Sequence, residues 1–315
     1  MQAWQSAIPN FEWRQITHLN DAMKEYLQCY GLLACVESVG GNYFIGFREV
    51  AGFQILHQYF KHADTQAETV LIVHGYTDHA GLFAKVIKQL LKKGKSVMVF
   101  DFPGHGLSSG QRATIKSFDI YHQVFIDCLS FFQGMVGRPI HLLAQSMGAA
   151  IVMQYLLSDW SEEDKLINKV ILFAPLVRPA AWKKAVWSYR LLSLVIKSIP
   201  RSYSNNSEDK QFLEFVRYRD PVQHDRLPTQ WVGAMIAWVK RFEALERSNF
   251  PVWIIQGDHD QTVDWQYNLE HLKNKFSCAR ICLVEGAGHH LAGESDRLQE
   301  KVFVFMDEAF DFENT

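Results

Sequence analysis

Short runs of nearly unbroken apolar residues recur along the chain: TVLIVHG, SVMVFD, PIHLLA, KVILFA, VWIIQG and RICLVEG. Such continuity suits strands covered on both faces. Helical patterns lie between them. Phe83, Val86, Ile87, Leu90 and Leu91 share one helical face, Lys85, Lys88 and Lys92 lie away from it, and Gly94 suits the stop. A second face carries Phe118, Tyr121, Val124, Phe125, Cys128, Leu129 and Phe132, and a third Leu298, Val302, Phe305 and Ala309. Strands alternating with helices predict an α/β protein with a mostly parallel sheet of about eight strands flanked by helices.

Two parts depart from this rhythm. NYFIGFREVAGFQILHQYF reads as two strands turning at Val50-Ala51-Gly52, an antiparallel edge, and NDAMKEYLQCYGLL predicts a helix within an N-terminal extension over 1–40. From Leu176 to Phe250 no strand is apparent, and helical patterns surround the polar RSYSNNSEDK. This segment, 176–250, reads as a helical cap inserted into a core formed by 41–175 and 251–315.

Composition changes the picture only modestly. Over 315 residues, 48% hydrophobic and 21% charged content is that of a soluble globular chain. A formal net charge of −2 gives no general attraction to nucleic acid, and no nucleic-acid partner is expected. Cys29, Cys35, Cys128, Cys278 and Cys282 are scattered without a CxxC pair, which indicates neither a zinc site nor a disulfide framework. Free thiols fit a reducing compartment. The opening MQAWQSAIPNFEWRQ lacks a basic region followed by an apolar run, and no stretch reaches the roughly 18 apolar residues of a membrane span. A cytoplasmic protein is expected, with room for peripheral membrane contact.

The candidate chemistry begins at AQSMG, Ala144 to Gly148, directly after the strand-like RPIHLLAQ. It nearly matches G-x-S-x-G, a serine on a tight strand-to-helix turn, with Ala144 in place of the first glycine. A serine hydroxyl needs a base, a carboxylate to orient that base, and donors for the oxyanion. The order serine, acid, histidine is present. QGDHDQTVD offers Asp258, Asp260 and Asp264 after a late strand. Asp264 suits an N-cap and Asp258 a loop hydrogen bond, which favours Asp260. GAGHHLAGE offers His289, with His290 as the second choice. The backbone N–H groups of Met147 and of Tyr76, after the turn at Gly75, are the expected oxyanion donors.

With these residues in view, the chain from about Phe44 resembles the monoacylglycerol lipase and lysophospholipase group of α/β-hydrolases, also described as serine aminopeptidase-like hydrolases. The resemblance rests on HGYTDHAG, DFPGHGLSSGQR, AQSMGA, QGDHDQTVD and GAGHHLAGE. Within the second, Asp101, Gly104, His105, Gly106 and Ser108 match the group's pattern, and the segment is expected to shape a turn. The resemblance implies Ser146 as nucleophile, Asp260 as acid, His289 as base, Tyr76 and Met147 N–H as oxyanion donors, and no cofactor or metal. Ala144 and His290, where the group commonly has an acidic residue, are departures.

The segment matching the group's cap is expected to govern substrate choice. AAWKKAVWSYRLLSLVIKSIPR would set Lys183, Arg190 and Lys197 along one stripe beside an apolar surface, suited to a lipid face or an acyl tunnel. Trp182, Trp187, Trp231, Met235 and Trp238 are the candidate substrate contacts, with core packing the first reading of Trp231, Met235 and Trp238 in WVGAMIAWV and acyl-chain lining the second. The reading is an ester hydrolase acting on monoacyl lipids through an acyl-enzyme. A small-ester carboxylesterase, a thioesterase or an aminopeptidase could use the same triad, the last holding its substrate amine on Glu208, Asp209 or Glu214. A catalytically silent binding protein is the alternative outside enzymes.

Overall fold

A computed structural model describes residues 1–161 and 167–312. Its eight-stranded sheet is built from β1 (Tyr43–Val50), β2 (Phe53–Phe60), β3 (Thr69–Val73), β4 (Ser96–Phe100), β5 (Ile140–Gln145), β6 (Ile167–Phe173), β9 (Val252–Gly257) and β10 (Arg280–Val284). The order is β1-β2-β4-β3-β5-β6-β9-β10. β4, β3, β5, β6, β9 and β10 run parallel to one another, while β2 pairs antiparallel with β4. β1 and β2 form a hairpin in which Val50 faces Phe53, and Ala51 and Gly52 both take positive φ, the twist a two-residue hairpin turn demands.

The central strands β3, β4, β5 and β9 are buried along their whole length, as their unbroken apolar runs require. RICLVEG differs. β10 is the edge strand, and only Val284 of its five residues is fully buried. An apolar run alone does not tell an edge strand from a central one.

Eleven α-helices are assigned among the described residues, with α1 (Gln2–Ala7), α2 (Asp21–Cys29), α3 (Leu33–Ser38), α4 (Ala84–Lys92), α5 (Phe118–Val136) and α6 (Met147–Ser158) in the first half. Later come α7 (Trp182–Leu192), α8 (Lys210–Glu214), α9 (Thr229–Ala244), α10 (Trp265–Lys275) and α11 (Asp296–Asp311). The sheet separates two cores. One packs α5, α6, α9 and α10 on one face, and the other packs α1 to α4 and α11 on the opposite face. The N-terminal helices sink Trp4, Met23, Tyr26 and Leu27 into the second core. Just after α1, Phe47 N–H donates to the Pro9 carbonyl and Phe11 N–H to the Phe47 carbonyl, so the extension covers the open edge of β1.

Between β6 and β9 lie α7, α8, a π-helical turn at Phe215–Arg219, and α9. The segment also holds a two-stranded ribbon, β7 (Ser198–Pro200) with β8 (Arg226–Pro228), which the sequence pattern does not reveal. Three residues per strand are too few to show an alternation. α7 stops at Leu192, so Lys183 and Arg190 lie on it and Lys197 does not. Among the described residues no helix is long and apolar enough to cross a membrane.

Candidate active site

β5 ends at Gln145 and α6 begins at Met147, so Ser146 alone makes the turn between them. Its φ of 53° is costly for a residue with a Cβ. The surroundings hold it there. Ser146 N–H donates to the Phe173 carbonyl at 2.9 Å, and the Ser146 carbonyl accepts from Ala150 at 3.0 Å and Leu176 at 3.3 Å. α6 crosses β3 so closely that a Cβ on Gly148 would lie 2.2 Å from the Val73 carbonyl oxygen. Ala144, by contrast, is a β5 residue in register with Val73 and Leu172. Its methyl is an ordinary buried strand side chain. The first small residue of the motif therefore tolerates a Cβ where the second does not.

The loops after β9 and β10 bring Asp260 and His289 to this turn. His289 Nε2 lies 2.9 Å from Ser146 Oγ, and His289 Nδ1 lies 2.8 Å from Asp260 Oδ2. Asp260 Oδ1 accepts from the N–H groups of Thr262 and Val263, and Oδ2 also from Gln256 Nε2. These four acceptor contacts fix the carboxylate, so Nδ1–H donates to it and Nε2 is left to accept the serine proton. Burial opposes ionisation of Asp260, but the His289 charge and the hydrogen bonds outweigh it and hold the carboxyl below its usual range. Burial likewise opposes charge on His289, while Asp260 favours it and raises its pKa above the ordinary value.

The other candidates have different duties. Asp258 Oδ1 accepts from Gly286 N–H at 2.7 Å and ties the two loops together. Asp264 caps α10. His290 Nε2 lies 3.3 Å from Asp78 Oδ1, while the contact to Ser146 is made by His289. Asp101 accepts from the N–H groups of Ala80 and Leu107 and from the Ser108 hydroxyl, so GHGLSSG braces the loop after β4 against the loop after β3. His74 does the same between strands, accepting from Phe102 N–H through Nε2 and donating from Nδ1 to the Gly75 carbonyl.

Tyr76 stacks on Trp231 of α9 at 3.7 Å between ring centres, and its hydroxyl donates to the Ala113 carbonyl. Both ends of the side chain are held, directly after Gly75, where a Cβ would lie 3.2 Å from Ser146 Cβ. A cavity of about 440 Å³ opens on Ser146 and His289, within the ~300–1,000 Å³ range of small-molecule sites. Leu176, Leu227, Trp231, Val232 and Met235 give it an apolar wall.

Of the candidate substrate contacts, Trp231 and Met235 line this cavity. Trp182, Trp187 and Trp238 do not. Trp238 lies two turns along α9, buried between Phe118 and Phe242, with Nε1 donating to Gln154. The α9 stripe starts at the cavity and continues onto the core, and helical spacing cannot show where one ends. Trp182 packs beside Arg178 at the base of α7, and Trp187 is 66% exposed on its outer side. Glu208, Asp209 and Glu214 pair with Arg297, Lys85 and Arg219 and do not line the cavity. Its one carboxylate is Asp78.

Sequence reasoning passed over Asp78, Gln145 and Gln256. Gln145 Nε2 donates to Asp78 Oδ2, and Gln145 Oε1 accepts from Ala292 N–H beyond the histidines. Gln145 and Gln256 lie at the buried ends of β5 and β9, where polar character was the available signal, whereas Asp78 lies in the loop after β3. Among the described residues no three His, Cys, Asp or Glu side chains converge to hold a metal ion.

A family model described as serine aminopeptidase, S33 matches residues 64–296. A monoglyceride lipase homolog of monkeypox virus is 26% identical over 259 residues, covering 78% of this chain and 90% of its own. The Homo sapiens monoglyceride lipase is 25% identical over 262 residues, covering 80% and 85%. A solved structure of a soluble variant of monoglyceride lipase from Saccharomyces cerevisiae, in complex with a substrate analog, superposes with a TM-score of 0.71 at 18% identity, over 84% of this chain and 94% of that one. The family match takes in the serine turn, the acid loop and the histidine loop, and this chain belongs to the serine aminopeptidase S33 family of α/β-hydrolases.

Proposed function

We propose that the protein hydrolyses carboxylic esters of monoacyl lipids through an acyl-enzyme on Ser146. The observation that carries this reading is the continuous Asp260–His289–Ser146 hydrogen-bonded chain opening onto an apolar cavity. In the first half-reaction His289 Nε2 takes the Ser146 proton as Oγ bonds to the acyl carbon. The N–H groups of Tyr76 and Met147 receive the oxyanion, each worth about 3 kcal/mol in the transition state. The intermediate then collapses, and the alcohol leaves with the proton held by His289. Water attacks the acyl-enzyme by the same route and releases the fatty acid. Asp260 keeps Nδ1 protonated and supports the imidazolium.

The apolar wall of Trp231, Val232 and Met235 supports one acyl chain as the occupant, and the homologous monoglyceride lipases support the same class. The segment of α7 and the residues just after it supports contact with a lipid surface, since Leu194 is 96% and Val195 80% exposed and Lys183, Arg190 and Lys197 are exposed too. The free thiols support a reducing compartment. A fluorophosphonate probe and a hydrolysis screen over monoacylglycerols, lysophospholipids, triacylglycerols and acetyl esters test the reading. Labelling at Ser146, lost in Ser146→Ala, with monoacyl substrates ahead of acetyl esters, is the expected result. Absence of labelling would leave a binding protein, and preference for acetyl esters a small-ester esterase.

A further inference from the structure

The cavity wall carries charge that hydrolysis of a neutral ester does not use. The whole chain is formally −2. Yet the lining of this cavity contains Arg201, Arg217 and Arg226 against the single carboxylate of Asp78. Asp78 is already engaged by His290 and Gln145. The arginine–carboxylate pairs among the described residues are made by Arg178, Arg219, Arg241 and Arg297, not by these three.

Neutral groups position them instead. Arg201 Nη1 donates to Gln223 Oε1 at 2.5 Å. Its guanidinium stands 4.8 Å from the centre of the Tyr203 ring, and that of Arg217 stands 5.5 Å from the same ring. Arg226 Nε and Nη2 donate to the hydroxyl and carbonyl of Ser198 at 2.7 and 3.0 Å across the ribbon. Cations fixed by a ring and by neutral acceptors keep their full charge and further N–H donors. Ser202 and Asn205 add polar groups to the same wall. Much of the apolar lining stands on other elements, Leu176 after β6 and Trp231, Val232 and Met235 on α9, while Val216 and Leu227 adjoin Arg217 and Arg226. The positive charge of Arg201 helps to hold the Asp78 carboxyl, on the same cavity wall, below its usual range.

Three guanidinium groups with donors to spare match the oxygens of a phosphate. We propose that Arg201, Arg217 and Arg226 form a phosphate subsite, and that the preferred substrate is a monoacyl ester whose alcohol carries a phosphate group. The proposal rests on the serine-hydrolase reading above. Ser146 Oγ bonds to the acyl carbon and the ester bond to the alcohol breaks. The alcohol leaves with the His289 proton and its phosphate intact, and water then frees the fatty acid.

The test compares octanoyl glycerol 3-phosphate with 1-octanoylglycerol, both below micelle formation, so that an anionic lipid surface plays no part. A water-soluble butyrate ester reports on the triad. In the unsubstituted protein kcat/KM is expected to favour the phosphate-bearing substrate by tenfold or more. In Arg217→Gln/Arg226→Gln that ratio falls at least tenfold, mainly through KM, and the corresponding lysine variant retains part of it. Both side chains are exposed, so this pair keeps the test sound if the half-buried Arg201→Gln fails to fold. Equal use of the two substrates, or a ratio the variants leave unchanged, overturns the phosphate subsite and leaves the monoacyl reading standing. Turnover of the butyrate ester with neither octanoyl substrate overturns both.

Discussion

His289 is pulled two ways, and the outcome sets where the enzyme works. Burial disfavours its charged form, Asp260 favours it, and the carboxylate wins, so the imidazole titrates above the ordinary histidine value, about 6.5. Only the neutral ring can take the serine proton. Activity therefore rises with pH, and the acid limb of kcat/KM is centred above ~6.5. Asp260→Asn removes the raising charge. The limb then moves to lower pH while its plateau falls on the order of 10³–10⁴-fold. Ester hydrolysis profiled over pH for both proteins checks the two effects together. A matched pair separates the histidines: His289→Ala abolishes turnover, whereas His290→Ala, which removes the contact to Asp78, leaves measurable activity. At this scale the order serine, acid, histidine was legible because each residue follows a strand end. Asp78 and Arg201 were not, since the partners of Asp78 are distant in sequence, Gln145 by 67 residues and His290 by more, and Arg201 stands on a wall assembled by folding.

The strand–turn–helix element makes opposite demands on two small residues. Ala144→Gly puts a glycine inside a central strand and costs about 0.5–1 kcal/mol, with turnover within tenfold of wild type. Gly148→Ala drives a methyl group into the Val73 carbonyl, which is backbone and cannot swing aside. It costs at least about 1–3 kcal/mol and disturbs the serine itself. Denaturant midpoints of the two variants, read beside butyrate turnover, show the asymmetry. A second element-level contact joins three parts of the chain. Tyr30 at the end of α2 donates to Asp220 Oδ1 at 2.7 Å, and His79 and Gln223 reach Asp220 Oδ2. Gln223 also donates to the Thr77 carbonyl beside the oxyanion loop. Tyr30→Phe leaves one donor fewer on a buried carboxylate and costs about 1.5–3 kcal/mol, measured as a lower unfolding midpoint. The core strands were legible from their unbroken apolar runs, and the long helices from their repeating period. The ribbon of β7 and β8, the edge position of β10 and the end of α7 were not, since each is decided by what packs against it.

The whole molecule presents one face unlike the rest. Around α7, Trp187, Leu191, Leu194 and Val195 are exposed, beside the exposed basic residues Lys183, Lys184, Arg190 and Lys197. On a chain of net charge −2 this concentrates positive charge and apolar surface on the outside of the segment that walls the cavity. An anionic bilayer offers both complements, at about 1 kcal/mol for each basic residue held near its surface. The protein is accordingly expected to co-sediment with vesicles containing phosphatidylserine, and more weakly as salt is raised. Lys183→Gln/Arg190→Gln/Lys197→Gln should lose the salt-dependent part, and Trp187→Ser/Leu194→Ser/Val195→Ser the part that survives at high salt. Turnover of the butyrate ester serves as the check that each variant is folded. The two losses must be separable, because one arises from charge screened over a Debye length of about 10 Å and the other from apolar area. If neither set changes binding, the face is a solvated surface and the substrate reaches Ser146 from solution.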